Sequence, residues 1–212
     1  MHEETALLES PVLSAVGYLD AEAHSKSKHE YHNGKLIEMA GADYYHNKIK
    51  LELALLIERF LRASNLPFET LDSDMKTWFP AKNKFVYPDL TVLQKPPQFF
   101  VTESGQVRRD ALVNPMLIVE VLSPETAGYD KGEKFELYCS LDSFREYVLV
   151  EPETPWVKTI FIEDAANGIH RVKTVTDPNE SFYLHTIGCS IVLGDLYKAV
   201  EGVETPTAIV PK

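Results

Sequence analysis

Two acidic side chains stand out because each interrupts a run of residues that otherwise resembles a buried β-strand. Asp89 lies in FVYPDLTVL, residues 85–93, and Glu120 lies in MLIVEVLS, residues 116–123. A lone acid inside a hydrophobic strand is costly unless it is paired, protonated or bound to a metal ion. If the two strands pair, their carboxylates converge within reach of one cation. Such a cation would activate water and stabilise the charge on a phosphate during hydrolysis.

Mg²⁺ suits such a pair, since it accepts one or two carboxylates and keeps several waters. The residues themselves leave a second interpretation open, in which either acid lies at the end of its strand, solvated or paired with a lysine. A formal net charge of −11 argues against a large basic surface for nucleic acid. The same charge is compatible with a local basic patch, or with carboxylates gathered around a divalent ion.

The composition places further bounds on the protein. The 212 residues are most simply one domain, and 44% hydrophobic and 25% charged residues are ordinary for a globular protein. Cys139 and Cys189 stand apart in no CxxC spacing, which is typical of thiols in a reducing compartment. No signal peptide is evident, and no apolar run approaches the roughly 20 residues that cross a bilayer. We therefore expect a cytoplasmic protein with no membrane partner.

Local patterns predict the elements that must position the two acids. Asn33-Gly34 predicts the turn of a hairpin over residues 28–40, and Asp43 predicts the N-cap of a helix that ends near Ala63. The remaining pattern predicts a polar loop at 94–114, a helix at 129–140, a short closing helix at 193–198, and strands at 68–71, 75–79, 85–93, 116–122, 146–150, 157–162, 169–175 and 181–184. This order indicates an α/β or α+β domain with a mixed central sheet flanked by helices.

Taken in order, the motifs resemble those of the Uma2 family, also called DUF820, in the PD-(D/E)XK nuclease superfamily. The matching stretches are residues 31–39, His46, 73–75, 87–92, 117–124, Asp130, Lys134, Tyr138 and 146–152. The resemblance covers residues 28–198 and implies a restriction-endonuclease-like core with added hairpins. It also implies an endonuclease that depends on Mg²⁺ or Mn²⁺ and acts on DNA as a homodimer.

The resemblance further implies how the chain is divided and where its site lies. Residues 1–27 would form an N-terminal extension with a short helix, 28–200 the restriction-endonuclease-like domain, and 201–212 a C-terminal tail. The implied site consists of the metal ligands Asp89 and Glu120, the catalytic Lys134, and the candidate additional residues His46, Glu38 and Tyr138.

The chain departs from the usual motif at one position: two residues after Glu120, where a lysine is expected, it has Leu122. The resemblance takes the lysine from the following helix, where Lys134 would share a face with Asp130 and Tyr138. There it would position the attacking water and stabilise negative charge. The plainer interpretation of Lys134 is an i,i+4 ion pair with Asp130 on a helix surface.

The additional candidates also have plainer interpretations. His46 could approach a metal or phosphate from a helix N-terminus, or could serve only in capping or packing. Glu38, or Glu30 in the same hairpin, could add a carboxylate to the site, or could be solvated. Leu122 and the negative net charge leave a second function open, that of a catalytically degenerate nuclease fold acting as a binding or regulatory module.

Overall fold

The computed structural model describes residues 13–198 and residue 200. Residues 1–12, which make up much of the expected N-terminal extension, and the expected tail at 201–212 lie outside the described residues. The helices are α1 (Ala15–Glu22), α2 (Tyr44–Ser64), α3 (Ala127–Lys131), α4 (Glu133–Cys139) and α5 (Leu193–Tyr197). The strands are β1 (His29–His32), β2 (Lys35–Glu38), β3 (Phe68–Asp72), β4 (Lys76–Phe79), β5 (Lys84–Val86), β6 (Leu90–Gln94), β7 (Phe99–Val101), β8 (Val107–Leu112), β9 (Leu117–Val121), β10 (Glu146–Val150), β11 (Val157–Asp164), β12 (Ile169–Val175), β13 (Ser181–Leu184) and β14 (Cys189–Val192).

The expected mixed central sheet is confirmed. Its strand order is β12-β11-β10-β9-β6-β3 in the described part of the chain. β9 and β10 are parallel, whereas β6 runs antiparallel to both β9 and β3. One face is covered by α2, which buries Ile49, Leu53, Ile57 and Leu61 against it. The side of α2 that packs on the sheet is apolar because those four residues recur at helical spacing.

The hairpin and the long helix also form as predicted. Asn33 and Gly34 have positive φ angles of 49° and 94°, as a two-residue hairpin turn requires. Asp43 caps α2, and its carboxylate accepts a hydrogen bond from the backbone N–H of His46 at 2.8 Å. This cap starts the helix two residues before His46.

The prediction of one continuous strand over 85–93 is wrong. The run is divided between β5 and β6, which belong to different sheets. The break falls at Pro88, which has no N–H to donate to a sheet, while the N–H of Tyr87 donates to the side chain of Glu30 at 3.3 Å. The segment 87–89 therefore crosses from one sheet to the other, and Asp89 lies just before β6.

The second sheet was not foreseen as a separate layer. Its order is β2-β1-β5-β4-β8-β7 within the described residues, and its core includes Tyr18 and Leu19 from α1. Two of its strands occupy the segment predicted as the polar loop 94–114, so that prediction is wrong. Two of the charges that suggested a loop are paired: the buried Arg108 contacts Asp110 at 3.1 Å, and it also contacts Asp20 at 2.6 Å.

Two smaller predictions also need correction. The helix predicted at 129–140 begins at Ala127 and divides into α3 and α4 at Gly132, whose φ and ψ of −126° and −93° are not helical. β14, which pairs with β13 near the end of the described chain, was not predicted. Across residues 13–198 and 200, no helix combines the length and the apolar character that a membrane crossing needs.

Candidate active site

The central sheet brings Asp89 and Glu120 to the same edge. β6 and β9 pair Leu90 with Val119 and Thr91 with Ile118. Asp89 and Glu120 are each one residue beyond the last of these pairs, so they lie at neighbouring strand ends. The N–H of Val121, the residue after Glu120, donates to the carboxylate of Asp89 at 2.8 Å, so the Asp89 side chain reaches the backbone of β9 beside Glu120.

Asp89 is held by one backbone and one side-chain contact. Its Oδ2 accepts a hydrogen bond from the N–H of Val121 at 2.8 Å and lies 3.1 Å from Nε2 of His46. Burial opposes ionisation of this carboxyl, but the His46 hydrogen bond and the charge of Lys134 hold the pKa of Asp89 below its usual value. Asp89 is therefore ionised at neutral pH, with its other oxygen, Oδ1, outside both contacts.

Glu120 and Lys134 form a buried pair. Lys134 Nζ lies 2.9 Å from Oε2 of Glu120, and both side chains are less than 7% exposed. The ammonium also donates to the carbonyl oxygen of Tyr87 at 3.1 Å and lies 3.4 Å from Asp130. Lys134 thus connects β9, the crossing segment at Pro88 and α3.

The pKa values of Glu120 and Lys134 depend on their burial and on the charges around them. Burial raises the pKa of Glu120, and the adjacent Lys134 ammonium opposes that rise. For Lys134 burial favours the neutral amine, but the surrounding carboxylates, Glu120 first and then Glu30, outweigh it and raise the pKa of the ammonium. Lys134 is therefore a charged group placed beside a carboxylate in a region that excludes water.

Leu122 follows Glu120 by two residues, on the same face of the chain, and it fills the usual lysine position with an apolar side chain. It is buried in the cluster that includes Ile118 and Tyr147, on the opposite side of the sheet from α2. Lys134 reaches Glu120 from α4 instead. The i,i+4 contact with Asp130 exists as the plainer interpretation expected, yet it is buried rather than exposed.

Three buried polar atoms around the pair have no hydrogen-bond partner among the described residues: Oε1 of Glu120, the hydroxyl of Tyr138 and Nδ1 of His46. Buried polar atoms are nearly always satisfied in folded proteins, so each unpaired one asks for an explanation. Tyr138 is fully buried between Phe79 and Phe144. Burial and the charge of Glu120 raise the pKa of its hydroxyl, which stays protonated.

The structure places the two candidate acids of the first hairpin differently. Glu38 lies on the exposed strand β2, and none of the contacts of Asp89, Glu120 or Lys134 described above involves it. Glu30, on the inner strand β1, is buried and accepts hydrogen bonds from Tyr129 at 3.2 Å and His32 at 2.9 Å. The sequence shows both acids but not which strand of the hairpin faces inward.

Within residues 13–198 and 200, no group of three or more His, Cys, Asp or Glu side chains is arranged to hold a metal ion by itself. The fold gathers Asp89, Glu120, Lys134 and His46 at this end of the sheet, and the buried carboxylate of Asp130 lies 3.4 Å from the lysine. Mg²⁺ in general accepts one or two carboxylates and keeps several waters.

Comparison with known proteins gives this geometry its context. The model of the Uma2 family, described as "Putative restriction endonuclease", matches residues 16–191. Two relatives are proteins of Synechocystis sp. that carry the names "Uncharacterized protein sll1609" and "Uncharacterized protein slr1290". The first is 35% identical over 66% of this chain and 75% of its own length, and the second is 28% identical over 90% and 94%.

A solved structure shares the fold. It is described as a "putative nuclease belonging to DUF820" from Anabaena variabilis, and it superposes with a TM-score of 0.67 over 88% of this chain and 98% of its own. The sequence identity is 15%, so the likeness concerns the fold alone. The expectation of a restriction-endonuclease-like fold is confirmed.

Proposed function

The chain belongs to the Uma2 family, and on this basis we propose that it is a metal-dependent endonuclease that hydrolyses phosphodiester bonds in DNA. The observation that carries the proposal is the buried contact between Lys134 and Glu120 at 2.9 Å, on the sheet edge that also holds Asp89. We assign the activity to the domain at residues 28–200. Asp89 and Glu120 are the proposed metal ligands, and Lys134 is the proposed catalytic lysine.

Each of the two carboxylates has one oxygen that is available to bind a divalent cation. Oε1 of Glu120 is buried without a partner, and Oδ1 of Asp89 takes part in neither contact that holds the side chain. A carboxylate oxygen is the ligand that Mg²⁺ and Mn²⁺ accept. When bound, the ion would polarise a phosphate and lower the pKa of a coordinated water.

The chain's own residues would orient the reacting groups. His46 and the N–H of Val121 hold Asp89 in one direction, which leaves its second oxygen free. Lys134 fixes Glu120 and supplies a positive charge close to where a phosphate gains negative charge. The hydroxyl of Tyr138 keeps its proton and has one unused hydrogen bond to donate.

Cleavage assays with matched variants test the proposal. Supercoiled plasmid would be incubated with purified protein and Mg²⁺ or Mn²⁺, and nicking would be followed on agarose gels. We expect Asp89→Asn and Glu120→Gln to abolish cleavage, whereas Glu136→Gln, an equal change on the exposed face of α4, retains it. Cleavage that survives Asp89→Asn unchanged would remove the assignment.

The alternative, a degenerate fold that serves as a binding or regulatory module, predicts a different pattern. Its motivation is Leu122 in the usual lysine position, together with the net charge of −11. Titration calorimetry with Mg²⁺ and Mn²⁺ separates the two functions. Saturable binding that disappears in Glu120→Gln supports the nuclease, while absence of both binding and cleavage supports the module.

We also propose that the protein acts as a homodimer in a reducing cytoplasm. A single-domain nuclease with one site reaches the two strands of a duplex most simply as a pair of copies related by a twofold axis. Light scattering coupled to size-exclusion chromatography measures this directly. A mass of one chain, 24.0 kDa, at assay concentrations would rule the dimer out.

A further inference from the structure

The turn between β3 and β4 borders the candidate site on the side away from Glu120. β3 and β6 pair Leu71 with Thr91 and Asp72 with Leu90. β3 ends at Asp72, so Ser73 opens the turn next to the end of β6 that Asp89 precedes. Since β6 lies between β9 and β3 in the sheet, the turn at Ser73 and the strand of Glu120 lie on opposite sides of β6.

Two lysines converge on Ser73. Lys50 donates to its hydroxyl at 2.9 Å, and Lys28 donates to its carbonyl oxygen at 3.0 Å. Like charges that meet at one residue repel one another unless an anion compensates them. Lys28 has such a partner, because Asp74 lies 2.5 Å from its ammonium.

Lys50 has no such close partner. In the described part of the chain, no carboxylate oxygen lies within 4.0 Å of its ammonium, and Asp74, whose pKa is lowered by Lys28 first and then by Lys50, is paired with Lys28. The Lys50 side chain is only partly exposed. Its neighbour Lys48 differs, since it pairs with Glu52 at 3.8 Å on the same helix. A lysine ammonium has three hydrogens to donate, and Ser73 uses only one of those of Lys50.

Lys50 lies on the same helix as His46, the α2 residue that contacts Asp89. Lys50 follows His46 by four residues, so the two side chains lie on one face about one turn apart. His46 contacts Asp89 directly. The Lys50 ammonium therefore extends from the same face of α2 as the side chain that reaches Asp89, in a chain whose net charge of −11 otherwise repels polyanions.

We propose that Lys50 and the Ser73 hydroxyl form a phosphate subsite that binds a backbone phosphodiester of the nucleic acid next to the one held at Asp89 and Glu120. The subsite rests on the proposed nuclease function, which it deepens by naming how the substrate is held. Its ligand is the phosphodiester oxyanion, for which a lysine ammonium and a hydroxyl are both suited donors.

The salt dependence of binding tests the subsite without turnover. Binding of a short fluorescein-labelled DNA duplex would be measured by anisotropy in EDTA, from about 50 to 200 mM salt. Each phosphate contact adds about 0.9 to the slope of log K against log salt concentration. We expect Lys50→Gln to lower that slope by about 0.9, and both Lys50→Arg and Lys48→Gln to leave it unchanged.

The outcomes separate the subsite from the nuclease activity. A lower slope in Lys50→Gln alone supports the subsite even if the wild type does not cleave plasmid. Three results would overturn the subsite. They are equal slopes for Lys50→Gln and wild type, an equal effect of Lys48→Gln, and no binding of the duplex by wild type. Matching thermal melting curves for the three variants show that the slopes compare folded proteins.

Discussion

Replacing Lys134 by methionine should be the most destabilising single change in the candidate site. Lys134 places its ammonium against Glu120 at 2.9 Å, the carbonyl of Tyr87 at 3.1 Å and Asp130 at 3.4 Å. Methionine has a similar length but no charge, so the two carboxylates remain buried without a cation. Removing one member of a buried pair costs about 3–5 kcal/mol, and we expect a loss in the free energy of unfolding of about 3 kcal/mol.

Urea denaturation followed by circular dichroism measures this loss. Lys131→Met is the matched control, because Lys131 forms a more exposed ion pair with Glu151 at 3.6 Å and such pairs contribute only about 0–1 kcal/mol. The double variant Glu120→Gln/Lys134→Met removes a charge from each side, and it should recover much of the stability lost by Lys134→Met.

The pH dependence supplies an independent check with a definite sign. Burial raises the pKa of Glu120, and a group whose folded-state pKa is raised binds its proton more tightly in the folded protein. Without Lys134 to oppose that rise, the stability of Lys134→Met should increase as pH falls from about 8 to 5. A variant within about 1 kcal/mol of wild type, with no such pH dependence, would refute the assignment of a buried charged pair.

Three further predictions concern residues outside the pair. Asp43→Ala removes the cap that accepts from the N–H of His46; it should cost about 1 kcal/mol in thermal unfolding, and Asp43→Asn should restore most of it. The pKa of Asp110 is lowered despite burial, by Arg108 first and then Lys76. The stability that the ionised carboxylate contributes should therefore be lost as pH falls below about 4. In melting curves recorded over a series of pH values, Asp110→Asn should lose less stability than wild type below that pH. Burial raises the pKa of the Cys139 thiol to about 11. In the variant Cys189→Ala, where Cys139 is the remaining cysteine, the rate of reaction with iodoacetamide should rise about tenfold per pH unit above neutrality. A fast rate that does not change with pH would contradict this.

The sequence determined the parts of the fold whose signals are local. The Asn33-Gly34 turn and the Asp43 cap depend on residues a few positions apart, and both formed as predicted. Of the two apolar runs, the second became β9 and the latter part of the first became β6, with Asp89 and Glu120 near the ends that meet. The family resemblance named Lys134 as the candidate lysine in place of Leu122; the structure places its ammonium 2.9 Å from Glu120, and its catalytic role stays a prediction.

Only the tertiary structure decided which of these residues meet. Residues 85–93 divide between two sheets at Pro88, and the partner of the Tyr87 N–H at this break is Glu30, 57 positions earlier. The buried Arg108 of β8 is compensated by the distant Asp20 as well as by Asp110. These contacts join residues far apart in the chain, so no local pattern announces them. For the same reason the sequence named both hairpin acids as candidates, and the pairing of β1 with β5 placed Glu30 inside while Glu38 stayed on the exposed edge strand.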